Sequence, residues 1–298
     1  MARDGLKRVF VYRAKAYEEV AQGVLRTLGE AGLDASLQPL DHLKAIESTY
    51  DDDFLVVFNE HFDEFSDVLK SKQPFIAKHW RNAFKLTGMG GHFSEVFAHP
   101  PDVIESFTGR VSGALDRRPD IRYSTLGGTD LAIDLSSSKA MTIIDGIQGD
   151  DMVPGEAATF TEKISGPVAF EGTFLCLIPF AAKYGVVGPK SLAFDIEAGR
   201  VKDLRGDNTE LVSDLNKHFA RHPDNNSVDE VGFGTNLGVT RLYGTNSVFE
   251  ERHLGLHLGL GGKTPGSLHL DLLFEGGDID AGGRRIFQGG AYLPAALP

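Results

Sequence analysis

In the segment SLHLDLLFEGG, residues 267–277, His269 and Asp271 stand two positions apart among apolar neighbours. Side chains alternate along a strand, so residues i and i+2 leave from one face. The imidazole and the carboxylate therefore point the same way, and Leu268, Leu270 and Leu272 point the other. One apolar face and one face carrying a nitrogen and an oxygen donor is the pattern of a metal site built on a sheet.

Three other segments offer donors of the same kind. MVPGEAATF places Glu156 directly after a Pro-Gly turn. SVDEVGFGTN places Asp229 and Glu230 ahead of a glycine-rich stretch. In FEERHLGLHLGLGG, His253, Gly255, His257, Gly259 and Gly261 share one parity, and Leu254, Leu256, Leu258 and Leu260 share the other. Such a strand buries its leucines and leaves its histidines on a face lined with glycine, where another group can approach closely. Taken together, the nitrogen and oxygen donors without sulfur suit zinc, manganese, cobalt or iron(II). Five protein donors exceed what one catalytic zinc uses with a position left open, and they suit two divalent ions sharing a carboxylate and a water.

The wider composition is compatible with this chemistry. The 298 residues suffice for one large or two modest domains. A net charge of −12 and a pI near 5.3 argue against a nucleic-acid or anionic-membrane partner, both of which need a basic face. A small-molecule substrate is expected instead. The single cysteine, Cys176, excludes an internal disulfide and a thiolate metal cluster. It lies in the apolar run GTFLCLIPF and reads as an inert core thiol. No apolar signal core or membrane-length run is present, and the expected location is cytoplasmic.

The elements that must hold these residues fall into two textures. Residues 1–118 read as a small α/β domain with a parallel sheet. KRVFVYRA is a strand, a helix with apolar spacing follows, and DDDFLVVFNE is a further strand running up to Glu60 and His61. PFIAKHW and EVFAHPP repeat the strand theme. No G-x-G-x-x-G follows the first strand, and GMGGHF is only a glycine-rich turn. Residues 119–298 read as a larger, mainly β domain, interrupted by one helix, NTELVSDLNKHFARHP, capped by Asn208 or Thr209.

The second half resembles the metallo-aminopeptidases of the aminopeptidase T and aminopeptidase S type. The matching pieces are GGTDL at 127–131, PGEAATF at 154–160, DEVGFGTN at 229–236, NSVFEE leading to HLGLG at 257–261, and HLDLL at 269–273. The resemblance implies a metal-dependent hydrolase with a dinuclear site. It makes Glu156, Glu230, His257, His269 and Asp271 the metal ligands, with Glu230 and Asp271 bridging. Glu251 matches a further acid, offset by about one residue. In the implied mechanism a metal-bridging hydroxide attacks a small amide, peptide or ring carbonyl, and Glu156 or Glu230 carries the proton. A homodimer is expected from family habit. The chain departs from the family in lacking a Tyr after H-x-x-L-G, where GLGGKTPGS stands, and in its shorter first domain. Lys263 and His253 are the candidates to stabilise an oxyanion in place of that Tyr. More distantly, the chain is similar to the 2,5-dihydroxypyridine dioxygenases, single-iron(II) ring-cleaving enzymes that share the H-x-D strand. Glu230 then stands where they carry their other histidine, and Glu156 where they carry an apolar residue.

Overall fold

The computed structural model describes residues 8–45, 53–59, 83–146, 153–176 and 180–298. Glu60, His61 and the segment PFIAKHW lie outside the described residues. Two compact units emerge, Met1–Phe97 with Gly146–Val153, and Ala98–Asp145 with Pro154–Pro298.

The first unit carries a four-stranded parallel sheet in the order β2-β1-β3-β4, formed by β1 (Arg8–Arg13), β2 (Asp34–Pro39), β3 (Asp53–Asn59) and β4 (Ala83–Thr87). The helix Glu18–Glu30 connects β1 to β2. Parallel strands need such a crossover, and a central strand covered on both faces reads as a continuous apolar run. In β3, Leu55, Val56, Val57 and Phe58 are all buried. EVFAHPP does not form the expected strand. Phe93–Val96 is a short helix, and a second helix, Pro101–Leu115, begins at Pro101. Proline at the first helical position is pre-organised for a helix and loses no bonded N–H there. This second helix groups with the second unit, whereas the sequence texture changes only near Pro119.

The second unit is a 13-stranded sheet, antiparallel throughout. Its strands are β5 (Ile121–Ser124), β6 (Asp130–Ile133), β7 (Thr142–Ile144), β8 (Glu156–Thr159), β9 (Ile164–Cys176), β10 (Val187–Glu197), β11 (Arg200–Arg205), β12 (Val228–Gly234), β13 (Gly255–Leu260), β14 (Leu270–Phe274), β15 (Asp278–Ala281), β16 (Arg284–Gln288) and β17 (Ala291–Tyr292). The long β9 pairs β6, β10 and β14 along different parts of its length. The helix Thr209–Ala220 is capped by Asn208, whose side chain accepts from Leu211 N at 3.0 Å. Among the described residues no helix is long and apolar enough to cross a membrane.

The strands that matter for chemistry are neighbours in the order β9-β14-β13-β12-β8. One of their faces feeds the core with Val231, Phe233, Leu256, Leu258, Leu260, Leu270, Leu272 and Phe274. Alternation then sends Glu156, Glu230, Gly232, His257, Gly259 and Asp271 to the opposite face.

Candidate metal centre

Register brings the predicted residues together from four strands. Gly234 of β12 pairs with Glu156 of β8, Gly232 with His257, and Glu230 with Gly259, which in turn pairs with Asp271. His257 Nε2 stands 3.2 Å from Glu156 Oε1 and 3.2 Å from Glu230 Oε1. These three donor groups offer atoms that all lie within 4.8 Å of one another. Beside them, His269 Nε2 stands 2.8 Å from Asp271 Oδ1.

Two glycines create the room for the imidazoles. A Cβ on Gly232 would lie 2.0 Å from His257 Nε2. A Cβ on Gly259 would lie 2.6 Å from His269 Cε1, 2.8 Å from Glu230 Cβ and 3.0 Å from Asp271 Oδ1. The rings therefore lie across neighbouring strands where side chains would otherwise stand. Glu230 links the two groups, since it borders Gly259 as His269 and Asp271 do while its Oε1 reaches His257.

The surrounding loops hold these groups in place. Asn236 Nδ2 donates to Pro154 O at 2.9 Å, and Thr235 N to Gly155 O at 2.8 Å, which fixes the turn ahead of Glu156. Cys176 Sγ donates to His269 O at 3.0 Å, so the buried thiol pins the backbone of a site residue. His269 Nδ1 lies 3.0 Å from Gly261 O. A carbonyl only accepts, so Nδ1 carries the proton and Nε2 of the neutral ring presents a lone pair toward Asp271.

That lone pair tests whether the residues suit a cation. Asp271 is buried, and the group facing its Oδ1 among the described residues is the His269 imidazole, 2.8 Å away. Two acceptor atoms facing each other at 2.8 Å match neighbouring ligands of one ion with bonds of about 2.1 Å. Without an ion the pair keeps a proton instead. Burial pulls the His269 imidazole down, but Asp271 reverses this and raises it to about 10. His257 behaves alike: burial opposes its charge, and Glu156 and Glu230 push it well above the usual range. The residues present fit a divalent cation.

Exposure gives the centre a direction. The side chains of His257 and Glu156 are 2% and 6% exposed, whereas those of Glu230 and His269 are 30% and 41% exposed. A small molecule would arrive on the Glu230–His269 side.

Glu251 does not join the Glu156–Glu230–His257 group. Its Oε2 accepts from Arg252 Nη1 at 2.9 Å, and the same Nη1 contacts Glu156 Oε2. Burial of the Glu251 carboxyl, reinforced by Asp271, pushes it well above the carboxylate range. Burial also opposes ionisation of Glu156, but Arg252 and His257 hold it down at about 2. Arg252 escaped the sequence reading. So did Glu250, which is buried and accepts from Tyr243 N, Gly244 N, Thr245 N and Thr245 Oγ1 at 2.7, 2.7, 2.8 and 2.9 Å. The signal for it was present: Ser247 and Glu250 have the spacing of a capping box, and the structure forms one. This fixes the short 3₁₀ turn Val248–Arg252 that delivers Glu251 and Arg252. The two oxyanion candidates have contacts of their own. His253 hydrogen-bonds the Thr240 backbone, and burial pushes it down to about 4. Lys263 Nζ lies 3.4 Å from the centre of the Phe160 ring.

No protein-family model matches the chain, and no curated protein matches it. The aminopeptidase resemblance therefore rests on its motifs alone. Among solved structures, the chain is similar to 2,5-dihydroxypyridine dioxygenase from Pseudomonas putida KT2440, with a TM-score of 0.63 and 12% identity, over 97% of this chain and 92% of that one. At that identity the likeness is one of fold.

Proposed function

We propose that this protein is a divalent-metal-dependent enzyme that uses one iron(II) to open a hydroxylated aromatic ring with dioxygen. The observation that carries the reading is the His269–Asp271 pair, a nitrogen and an oxygen donor 2.8 Å apart, in a fold similar to that of a 2,5-dihydroxypyridine dioxygenase over 97% of the chain. The ion would be held by His269, Asp271 and Glu230, with His257 next in reach. With iron(II) bound, the chemistry available is direct reaction of the ring with dioxygen, both oxygen atoms entering the product and no separate reductant being consumed.

The chain's own groups have separate tasks. Gly261 O fixes the His269 tautomer and so its ligating nitrogen. Glu230, a half-buried carboxylate, takes the proton of an incoming ring hydroxyl, and the His257 imidazolium donates its Nε2 proton to Glu230 at 3.2 Å. Glu156, locked by Arg252, supports that imidazolium. The buried His257–Glu156 floor keeps water from the rear of the centre.

A metal-dependent hydrolase is the second reading. It is favoured by the carboxylate-rich group of Glu156, Glu230 and His257 beside the His269–Asp271 pair, a donor set richer in oxygen than two histidines and one carboxylate.

Oxygen uptake by the anaerobically iron-loaded protein decides between them, with 2,5-dihydroxypyridine and related hydroxylated rings as substrates and leucine p-nitroanilide run in parallel with zinc and manganese. Ring-dependent oxygen consumption supports the first reading. Amide hydrolysis without oxygen consumption overturns it in favour of the second.

A further inference from the structure

Arg252 is 1% exposed and heads the largest fully buried side chains of the described residues. Its Nη1 contacts Glu156 Oε2 and, at 2.9 Å, Glu251 Oε2. Each of these carboxylates thus has one oxygen committed to a guanidinium, and Glu156 has only Oε1 facing His257 and the rest of the centre. Guanidinium is always charged and suits buried carboxylates by its flat array of donors. We propose that Arg252 is a resident cation in the place a second metal ion would take, so that this centre binds one divalent ion per chain. This inference rests on the metal-enzyme reading above.

Charge and donors agree. Glu156, Glu230, Glu251 and Asp271 carry at most four negative charges, and the guanidinium with one divalent ion supplies three positive ones. A second divalent ion would leave a largely buried site net positive. It would also have to find ligands among oxygens that Arg252 already holds. The donors left to an ion are Glu156 Oε1, Glu230, His257, and the facing pair His269 Nε2 and Asp271 Oδ1, 2.8 Å apart. Arg252 is itself fixed from outside the centre: its backbone O accepts from Asn236 N at 3.0 Å, and the 3₁₀ turn that carries it is capped by Ser247 and Glu250. The cation is therefore part of the scaffold and is not exchanged with solvent ions.

The test is metal stoichiometry of the full chain. Protein stripped with chelator is dialysed against manganese(II), and bound metal is counted by elemental analysis, with electron paramagnetic resonance reporting whether neighbouring manganese ions couple. The expected result is one manganese per chain and an uncoupled spectrum. Arg252→Met should bind two with a coupled spectrum, and Arg252→Lys should return to one. Two ions in the wild-type chain overturn the inference while leaving the metal reading in place. No bound ion overturns the metal reading itself. If Arg252→Met does not fold without metal, its thermal midpoint is followed against manganese concentration. Recovery with two ions bound supports the inference, and recovery with one overturns it. If that variant folds under no condition, the wild-type count and spectrum decide.

Discussion

His269, one residue ahead of β14, and Asp271 within it bring Nε2 and Oδ1 to 2.8 Å from each other, and His269 Nδ1 lies 3.0 Å from Gly261 O on the other side of the ring. The strand's alternation brings the pair together, and the carbonyl behind it decides which atom of the ring is offered.

Divalent metal should therefore stabilise the fold through this pair. At a free concentration of a hundred times Kd, a ligand that binds only the native state adds about 2.7 kcal/mol, which for a chain of this size is a rise of roughly 4 °C in Tm. His269→Ala and Asp271→Asn should each fold and lose most of that rise. Calorimetry with and without manganese checks this; a variant that keeps the full metal-induced rise would remove its residue from the ligand set.

Gly232→Ala should act on the centre without replacing any of its donors. The added methyl carbon would lie 2.0 Å from His257 Nε2, so the ring must move. The expected outcome is a folded protein, destabilised by about 1–3 kcal/mol, with metal affinity lowered by about 10–100-fold. Titration with manganese measures it, and unchanged affinity would place His257 outside the metal's reach.

Glu250→Gln should loosen the loop that delivers Glu251 and Arg252. The carboxylate accepts from three consecutive backbone N–H groups, those of Tyr243, Gly244 and Thr245. An amide keeps one accepting oxygen, and leaving buried donors unmatched costs about 1–3 kcal/mol. Hydrogen exchange should rise at 243–247 and stay unchanged in the helix Thr209–Ala220. Uniform protection across both would show that the loop holds itself.

His218 should set an acid limit on stability, away from the centre. It is buried against Phe180 and Phe219, and among the described residues neither ring nitrogen has a hydrogen-bond partner. Burial, with a smaller push from Arg221, lowers it to about 4. Between about 6.5 and 4 the unfolded chain takes up a proton that the folded chain refuses, so the contribution is intact above 6.5 and falls away as pH drops toward 4, by up to about 3 kcal/mol. His218→Leu should flatten this limb of a denaturation series run against pH. A wild-type slope that persists in the variant would assign the limb to other groups.

Much of the centre was legible because it depends on short-range rules. Alternation predicts that His269 and Asp271 share a face, and the parity of His257 with Gly259 predicts a glycine-lined surface. The alternating and apolar runs also imply a parallel first sheet and a mainly β second half. Arg252 was not legible, because its partner Glu156 is 96 positions away and an Arg after two glutamates reads as a solvated stretch. EVFAHPP was too short for periodicity to separate helix from strand, and the prolines within it serve equally to end a strand or start a helix. The kind of reaction was not legible either, since a hydrolase and an oxygenase draw on the same donor types.

Gly232 and Gly259 give this centre an unusual kind of heredity. The donors can be copied onto another antiparallel sheet by substitution, but the rings would land on β-carbons and be turned aside. Transplanting the activity into a new scaffold therefore requires deleting side chains on the neighbouring strands before any donor is added. A chain that has lost a donor but kept both glycines stands closer to regaining function than one that has kept every donor and filled the floor.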